Sequence, residues 1–286
     1  MTRLSRTLTL CILGLGALAT TRSHAAPKPI SFINDVIPVL TRAGCNQGIC
    51  HGAAVGKNGF KLSLRGYAPE IDYAAIMRLA KGRRVNLAHP EKSMLLQKPL
   101  LEMPHIGGKA LEKGSKEYTI LVKWLAEGAA PPDAQDPHVT ELRVTPPIQS
   151  LSPKSNLQLR VEAVFSDGSK RDVTHWTRYA TNDETVATVV PDGKVTVTGV
   201  GQTAIMLGYQ DKVSVARIVA PFPNKIDPKA FTSLPRTNYV DSLVTAKLSA
   251  LHLPQSQPAS DMEYLRRVTL DLTGALPTAQ EARTFS

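Results

Sequence analysis

The chain has 286 residues, of which 42% are apolar, 5% aromatic and 20% charged, with a formal net charge of +10. That length suits two or three small domains rather than one large core. Beyond the first 25 residues no apolar run approaches 18, which excludes a later membrane-spanning helix.

Arg3 and Arg6 are followed by the nearly all-apolar run Leu8 to Ala19, and Ser23-His24-Ala25 ends in a small residue. This pattern predicts a signal peptide over residues 1–25, cleaved before Ala26, and a periplasmic or cell-envelope protein. An uncleaved anchor is the rival reading. Leu10 precedes Cys11, which does not suit a lipoprotein. Loss of Arg3, Arg6 and Arg22 lowers the net charge from +10 to +7, so no nucleic-acid partner is expected. A cluster at Arg78, Lys81, Arg83 and Arg84 reads either as a steering patch for an acidic redox partner or as a solvated surface.

Cys45 and Cys50 are the cysteines left after cleavage, in Gly44-Cys45-Asn46-Gln47-Gly48-Ile49-Cys50-His51-Gly52. Two thiols followed at once by an imidazole suit one covalent haem c, with His51 as proximal ligand. The usual spacing has two residues between the cysteines; here there are four, and Gly48 is expected to relax the wider loop. A plain disulfide, a zinc site without a clear fourth ligand and a redox-active dithiol are the alternatives. The second iron ligand is expected from Met94, Met103, His89 or His105. The loop Glu102-Met103-Pro104-His105-Ile106-Gly107-Gly108 is the favoured source, because both thioether and imidazole suit haem iron.

The spacing of Phe32, Ile33, Val36, Ile37, Val39 and Leu40 predicts a first helix leading to the cysteines. Tyr118, Leu121, Val122, Trp124 and Leu125 form the stripe of a last helix over 116–127. First and last helices crossing beside a haem predict an all-α cytochrome c-like haem domain over 26–130. The cysteine–histidine run, with Gly59-Phe60-Lys61-Leu62-Ser63-Leu64-Arg65-Gly66-Tyr67 and the Pro104-His105-Ile106-Gly107-Gly108 loop, resembles the cytochrome-like segment of large secreted planctomycete proteins. That resemblance favours His105 over Met103 as the second ligand.

After a proline-rich linker at 131–137 the periodicity changes to alternation. Leu157, Leu159, Val161, Ala163 and Phe165 predict one long strand, and turns at Ser166-Asp167-Gly168 and Pro191-Asp192-Gly193 space a series of short ones. An all-β sandwich over 138–220 follows. Phe165-Ser166-Asp167-Gly168, Arg171-Asp172-Val173-Thr174 and Gly199-Val200-Gly201-Gln202-Thr203-Ala204 make it similar to the bacterial immunoglobulin-like domain of group 2, which implies spacing or adhesion. Asp172, Asp183 and Asp211 suit turns better than calcium.

Residues 225–286 predict a partial α-helical region. Ser260-Asp261-Met262-Glu263-Tyr264-Leu265-Arg266-Arg267 and Leu270-Asp271-Leu272-Thr273-Gly274 resemble the opening of an uncharacterised planctomycete domain (DUF1549-like), which implies that the chain belongs to a longer protein. The expected function is an exported c-type cytochrome module that transfers electrons to an unidentified redox partner. The alternatives are a non-redox surface or cell-wall protein whose cysteines form a disulfide, and the relay domain of a larger enzyme. No catalytic residue is assigned.

Overall fold

A computed structural model describes residues 28–232 and 237–285; the expected signal peptide and Cys11 lie outside them. The first element starts where Ser31 caps a π-helical turn, Phe32–Val36, by accepting from the Asn34 N–H at 3.0 Å. The turn runs directly into α1, Ile37–Arg42. Phe32, Val36, Val39 and Leu40 are buried, so the expected apolar stripe is the core face. α2 (Pro69–Met77) begins with proline in its first turn and carries Glu70 and Asp72 there, which suits the positive end of a helix. After the short α3 (Met94–Gln97), α4 (Lys116–Ala126) is capped by Ser115, which accepts from the Tyr118 N–H. Trp124 of α4 is fully buried and packs on Phe32 and Tyr73. Its indole N–H donates to the Ala130 carbonyl.

These elements do not make an all-α cytochrome c-like domain, and that expectation is overturned. The longest helix of the unit has 11 residues, and most of 43–63 and 98–115 is turn and loop. Helical periodicity is confined to two short windows. Between them, left-handed residues at Gly44, Gly56, Gly59 and Gly66 and prolines at 99 and 104 leave room for no helix longer than the nine-residue α2. The architecture is a β-sandwich with flanking helices, at 33% helix among the described residues.

The sandwich comprises β1 (Val139–Thr145), β2 (Ile148–Ser150), β3 (Asn156–Gln158), β4 (Arg160–Phe165), β5 (Lys170–Asp172), β6 (Arg178–Thr181), β7 (Ala187–Val189), β8 (Lys194–Val197), β9 (Gly201–Tyr209) and β10 (Lys212–Ala220). Their sheet orders are β1-β4-β5, β2-β10-β9-β6 and β3-β8-β7. β9 and β10 pair antiparallel from Lys212 opposite Tyr209 to Ala220 opposite Gly201, while β2 joins β10 in parallel. The single strand expected over 157–165 is two: Leu157 pairs with Val195 in one sheet, and Ala163 with Leu142 in another. Alternation alone cannot report a strand that switches sheets. Leu159, Val161, Ile205 and Ile218 are among the core residues that close the sandwich.

The proline-rich segment before β1 is pinned rather than loose. Ser31 Oγ donates to Asp136 at 2.6 Å, and Asn34 Nδ2 to the Pro137 carbonyl at 2.8 Å. Arg42 reaches the β7–β8 turn, donating to the Pro191 carbonyl and pairing with Asp192 at 2.8 Å. Trp176 packs against both cores. The C-terminal helices α5 (Lys229–Thr232), α6 (Tyr239–Leu251), α7 (Asp261–Thr273) and α8 (Ala279–Phe285) follow. Asn238 and Ser260 close capping boxes with Asp241 and Glu263. Leu251 is buried, whereas Val240, Leu243, Val244 and Leu272 are exposed. The apolar side chains of these helices are therefore largely uncovered by the described residues.

Candidate functional site

The end of α1 delivers the cysteine–histidine loop. The Cys45 N–H donates to the Leu40 carbonyl, the His51 N–H to the Cys45 carbonyl, and the Leu62 N–H to the His51 carbonyl. Gly48, expected to relax the loop, has no left-handed backbone; Gly44 does, at φ 77°. Gly52 does the steric work, because a Cβ there would sit 2.2 Å from the Asn46 carbonyl oxygen.

Cys45, Cys50 and His51 line one cavity of about 460 Å³. Its apolar wall includes Leu40, Phe60, Met94, Leu95 and Pro99, and its cationic lining is Lys57, Arg83, Arg84 and Lys98. No carboxylate lines it. His105 lines it too, whereas Met103 and His89 do not. His89 is exposed beside Glu91. Of the four residues weighed as a second ligand, the fold therefore brings His105 and Met94 to the cysteine pair's cavity. Arg84, read from the sequence as part of a surface cluster, is buried at 7% exposure. Leu40, Phe60, Arg83 and the Pro104–Gly107 loop lie in runs already singled out in the sequence, whereas Leu95, Lys98 and Pro99 carry no sequence signal.

The two imidazoles face the same space, with ring centroids 6.3 Å apart and planes 17° from parallel. His51 Nδ1 is 3.0 Å from the Phe60 carbonyl, and His105 Nδ1 is 2.8 Å from the Gly108 carbonyl. A carbonyl can only accept, so each Nδ1 carries a proton, and in the neutral ring Nε2 is the nitrogen left with a lone pair. This is how imidazoles that bind metal through Nε2 are commonly oriented. Burial holds the His51 pKa below its ordinary value; the Phe60 carbonyl opposes this, while His105 and Arg84 add to it. His51 is therefore neutral at physiological pH, the form that ligates metal.

Both cysteines are free. Burial, then the neighbouring Cys50, pushes the Cys45 thiol up to about 12, against its own backbone hydrogen bond. A redox-active dithiol needs a lowered thiol pKa, the opposite of the direction at Cys45. Among the described residues no group of three or more His, Cys, Asp or Glu side chains could hold a metal ion. Asp172 and Asp183 accept from the backbone N–H of Thr174 and Thr185, as turn residues do. No described helix is long and apolar enough to cross a membrane.

Residues 138–219 match the Bacterial Ig-like domain (group 2). Such a domain is compatible with a surface or extracellular protein. Residues 239–286 match the Protein of unknown function (DUF1549). These matches carry the Ig-like and DUF1549 parts of the resemblance, not its cytochrome-like part. No curated protein matches the chain. Among solved structures, surface layer protein SbsC, domains 1–6, is 19% identical over 31% of this chain and 14% of that one, with a TM-score of 0.27. A mutant intimin of EHEC O157:H7 is 20% identical over 38% of this chain and 68% of that one, with a TM-score of 0.22. The chain thus spans about one seventh of the SbsC structure.

Proposed function

We propose that this is an exported, surface-facing protein in which residues 26–130 bind one covalent haem c and pass electrons, while the Ig-like domain holds that unit at the cell envelope. The observation that carries this reading is the opposed pair His51 and His105 on the cysteine pair's cavity. A metal–imidazole bond is about 2 Å long, and rings 6.3 Å apart between centroids leave room for one metal bonded to both. Lining by four cations and no acid suits a flat cofactor bearing carboxylates. The residues present therefore fit the group, though they sit in a helix-and-loop unit.

Cys45 and Cys50 would hold the group covalently, and His51 and His105 would ligate its iron. Haem, once attached, supplies a one-electron couple. With imidazole on both faces the site would favour the oxidised state and a lower potential than a His–Met pair, and would hold no open position for substrate. The chain's own contribution is orientation through Phe60 and Gly108, exclusion of water by the apolar wall, and a cationic lining for the cofactor's carboxylates.

Acid–acetone extraction of the purified exported protein tests the reading. Haem that stays with the protein supports it, and haem that leaves with the solvent overturns covalent attachment. A second reading, a non-redox surface protein, is favoured by the complete Ig-like sandwich with its own core. A colourless exported protein with Cys45 and Cys50 joined as a disulfide would establish that reading instead.

A further inference from the structure

We infer that Arg84 is a positioning residue for His51, acting through Phe60; this rests on the reading of His51 as an axial ligand. Arg84 is buried, yet none of the ion pairs among the described residues includes it. A buried charge is costly unless its donors are well used. Its side-chain hydrogen bonds all go to backbone carbonyls, two from α2 and the turn that follows it and one from the Gly59 loop. Nη1 donates to Ala75 and Leu79 at 3.0 Å each, and Nη2 to Gly59 at 2.9 Å.

The guanidinium also lies over the Phe60 ring, 4.6 Å from its centroid, a favourable cation–π placement. The Phe60 ring in turn lies against the His51 imidazole, with centroids 4.6 Å apart and planes at 49°. The Phe60 carbonyl accepts the His51 Nδ1 proton. Arg84 therefore grips Gly59 and Phe60 from one side, and Phe60 grips His51 with both its ring and its carbonyl on the other. The remaining hydrogen bonds of His51, from its N–H to Cys45 and to its carbonyl from Leu62, fix its main chain and leave the ring free to turn. Lysine cannot replace this grip, since it lacks a planar fork that bonds several carbonyls while stacking on a ring.

The test is solvent exchange of the two imidazole Nδ1 protons, read by NMR on 15N-labelled protein. If the protein carries haem it is reduced first, so that low-spin iron is diamagnetic. His105 serves as the internal reference, because its Nδ1 bonds to Gly108 and not to the Arg84 cluster. Arg84→Lys is expected to speed exchange at His51 by about tenfold or more and at His105 by less than about twofold, as a local opening would. Arg84→Gln should act in the same direction. An unchanged His51 rate in folded Arg84→Lys would overturn the inference. So would equal acceleration at both histidines, or failure of both variants to fold, since either makes Arg84 general scaffolding. A protein found without haem leaves this test intact, so failure of the haem reading stays separate from failure here.

Discussion

His175 Nε2 lies 2.6 Å from Glu117 Oε1, joining the 3-10 turn between β5 and β6 of the Ig-like domain to the first turn of α4. The Glu117 carboxyl is held below its ordinary 4.5: burial acts upward, but its own backbone N–H, the His175 hydrogen bond and charge, and Arg42 outweigh it. A depressed carboxyl contributes stability above its unfolded pKa and loses it as pH falls through the folded one. Glu117→Gln is therefore expected to cost about 1–2 kcal/mol near neutral pH. The gap to wild type should close as pH falls below 4.5. Denaturant melts at a series of pH values read this directly, and a pH-independent gap would count against the pair.

Gly52 makes a steric prediction. A Cβ there would lie 2.2 Å from the Asn46 carbonyl oxygen and 2.9 Å from that of Gln47, both main-chain atoms of the same loop. At Gly59 a Cβ would meet nothing within 4 Å, but φ is +68°. Gly59→Ala should cost about 1–2 kcal/mol, the penalty for left-handed backbone. Gly52→Ala should cost about 3 kcal/mol, since overpacking against fixed backbone forces the loop to move. Thermal melts should rank them in that order, and the reverse order would mean that the loop yields easily.

Asp72 is buried and accepts from both the N–H and the hydroxyl of Ser63. Burial raises its pKa above the ordinary 3.8, opposed by those two hydrogen bonds. A raised carboxyl contributes stability below its unfolded pKa and loses it as pH climbs through the folded one. Asp72→Ala strands two buried donors and should cost about 2–4 kcal/mol. Asp72→Asn keeps one acceptor and cannot ionise, so its deficit against wild type should shrink between pH 3.8 and neutrality. Urea melts of the two variants at both ends of that range decide it.

The sandwich was legible because alternation and turn residues are local signals. Asp167-Gly168 and Asp192-Gly193 mark turns wherever they occur. Four short strands, β2, β3, β5 and β6, carry no fully buried residue, so their sequences offer little apolar contrast to read. The Cys45–His51 loop was legible as a motif, and so was the His105 loop, yet neither tells how the chain between them runs. The all-α reading failed because two correct helical windows were extended across a segment dense in glycine and proline. Arg84 looked like one charge of a surface cluster. Its burial depends on three carbonyls brought together by the fold, which no spacing along the chain reports.

His105 and Met103 make opposite spectroscopic predictions. The His105 ring lines the cavity with His51 and its Nδ1 is already committed to Gly108, so Nε2 is the nitrogen that could ligate the iron of the proposed haem. Met103 is partly buried off the cavity, its N–H donating to the Gln97 carbonyl. With haem attached, His105→Ala should abolish the bis-imidazole low-spin signature of the ferric protein, and Met103→Ala should leave it in place. His51→Ala should abolish it as well, because both rings are needed. Lys98, whose ammonium donates to the Pro104 carbonyl at 3.0 Å, tethers the His105 loop to the end of α3. Lys98→Met should therefore weaken the second ligand without moving the first, seen as faster exchange of added imidazole or cyanide at the iron. A methionine–iron charge-transfer band in the near infrared, lost in Met103→Ala but kept in His105→Ala, would transfer the assignment to Met103.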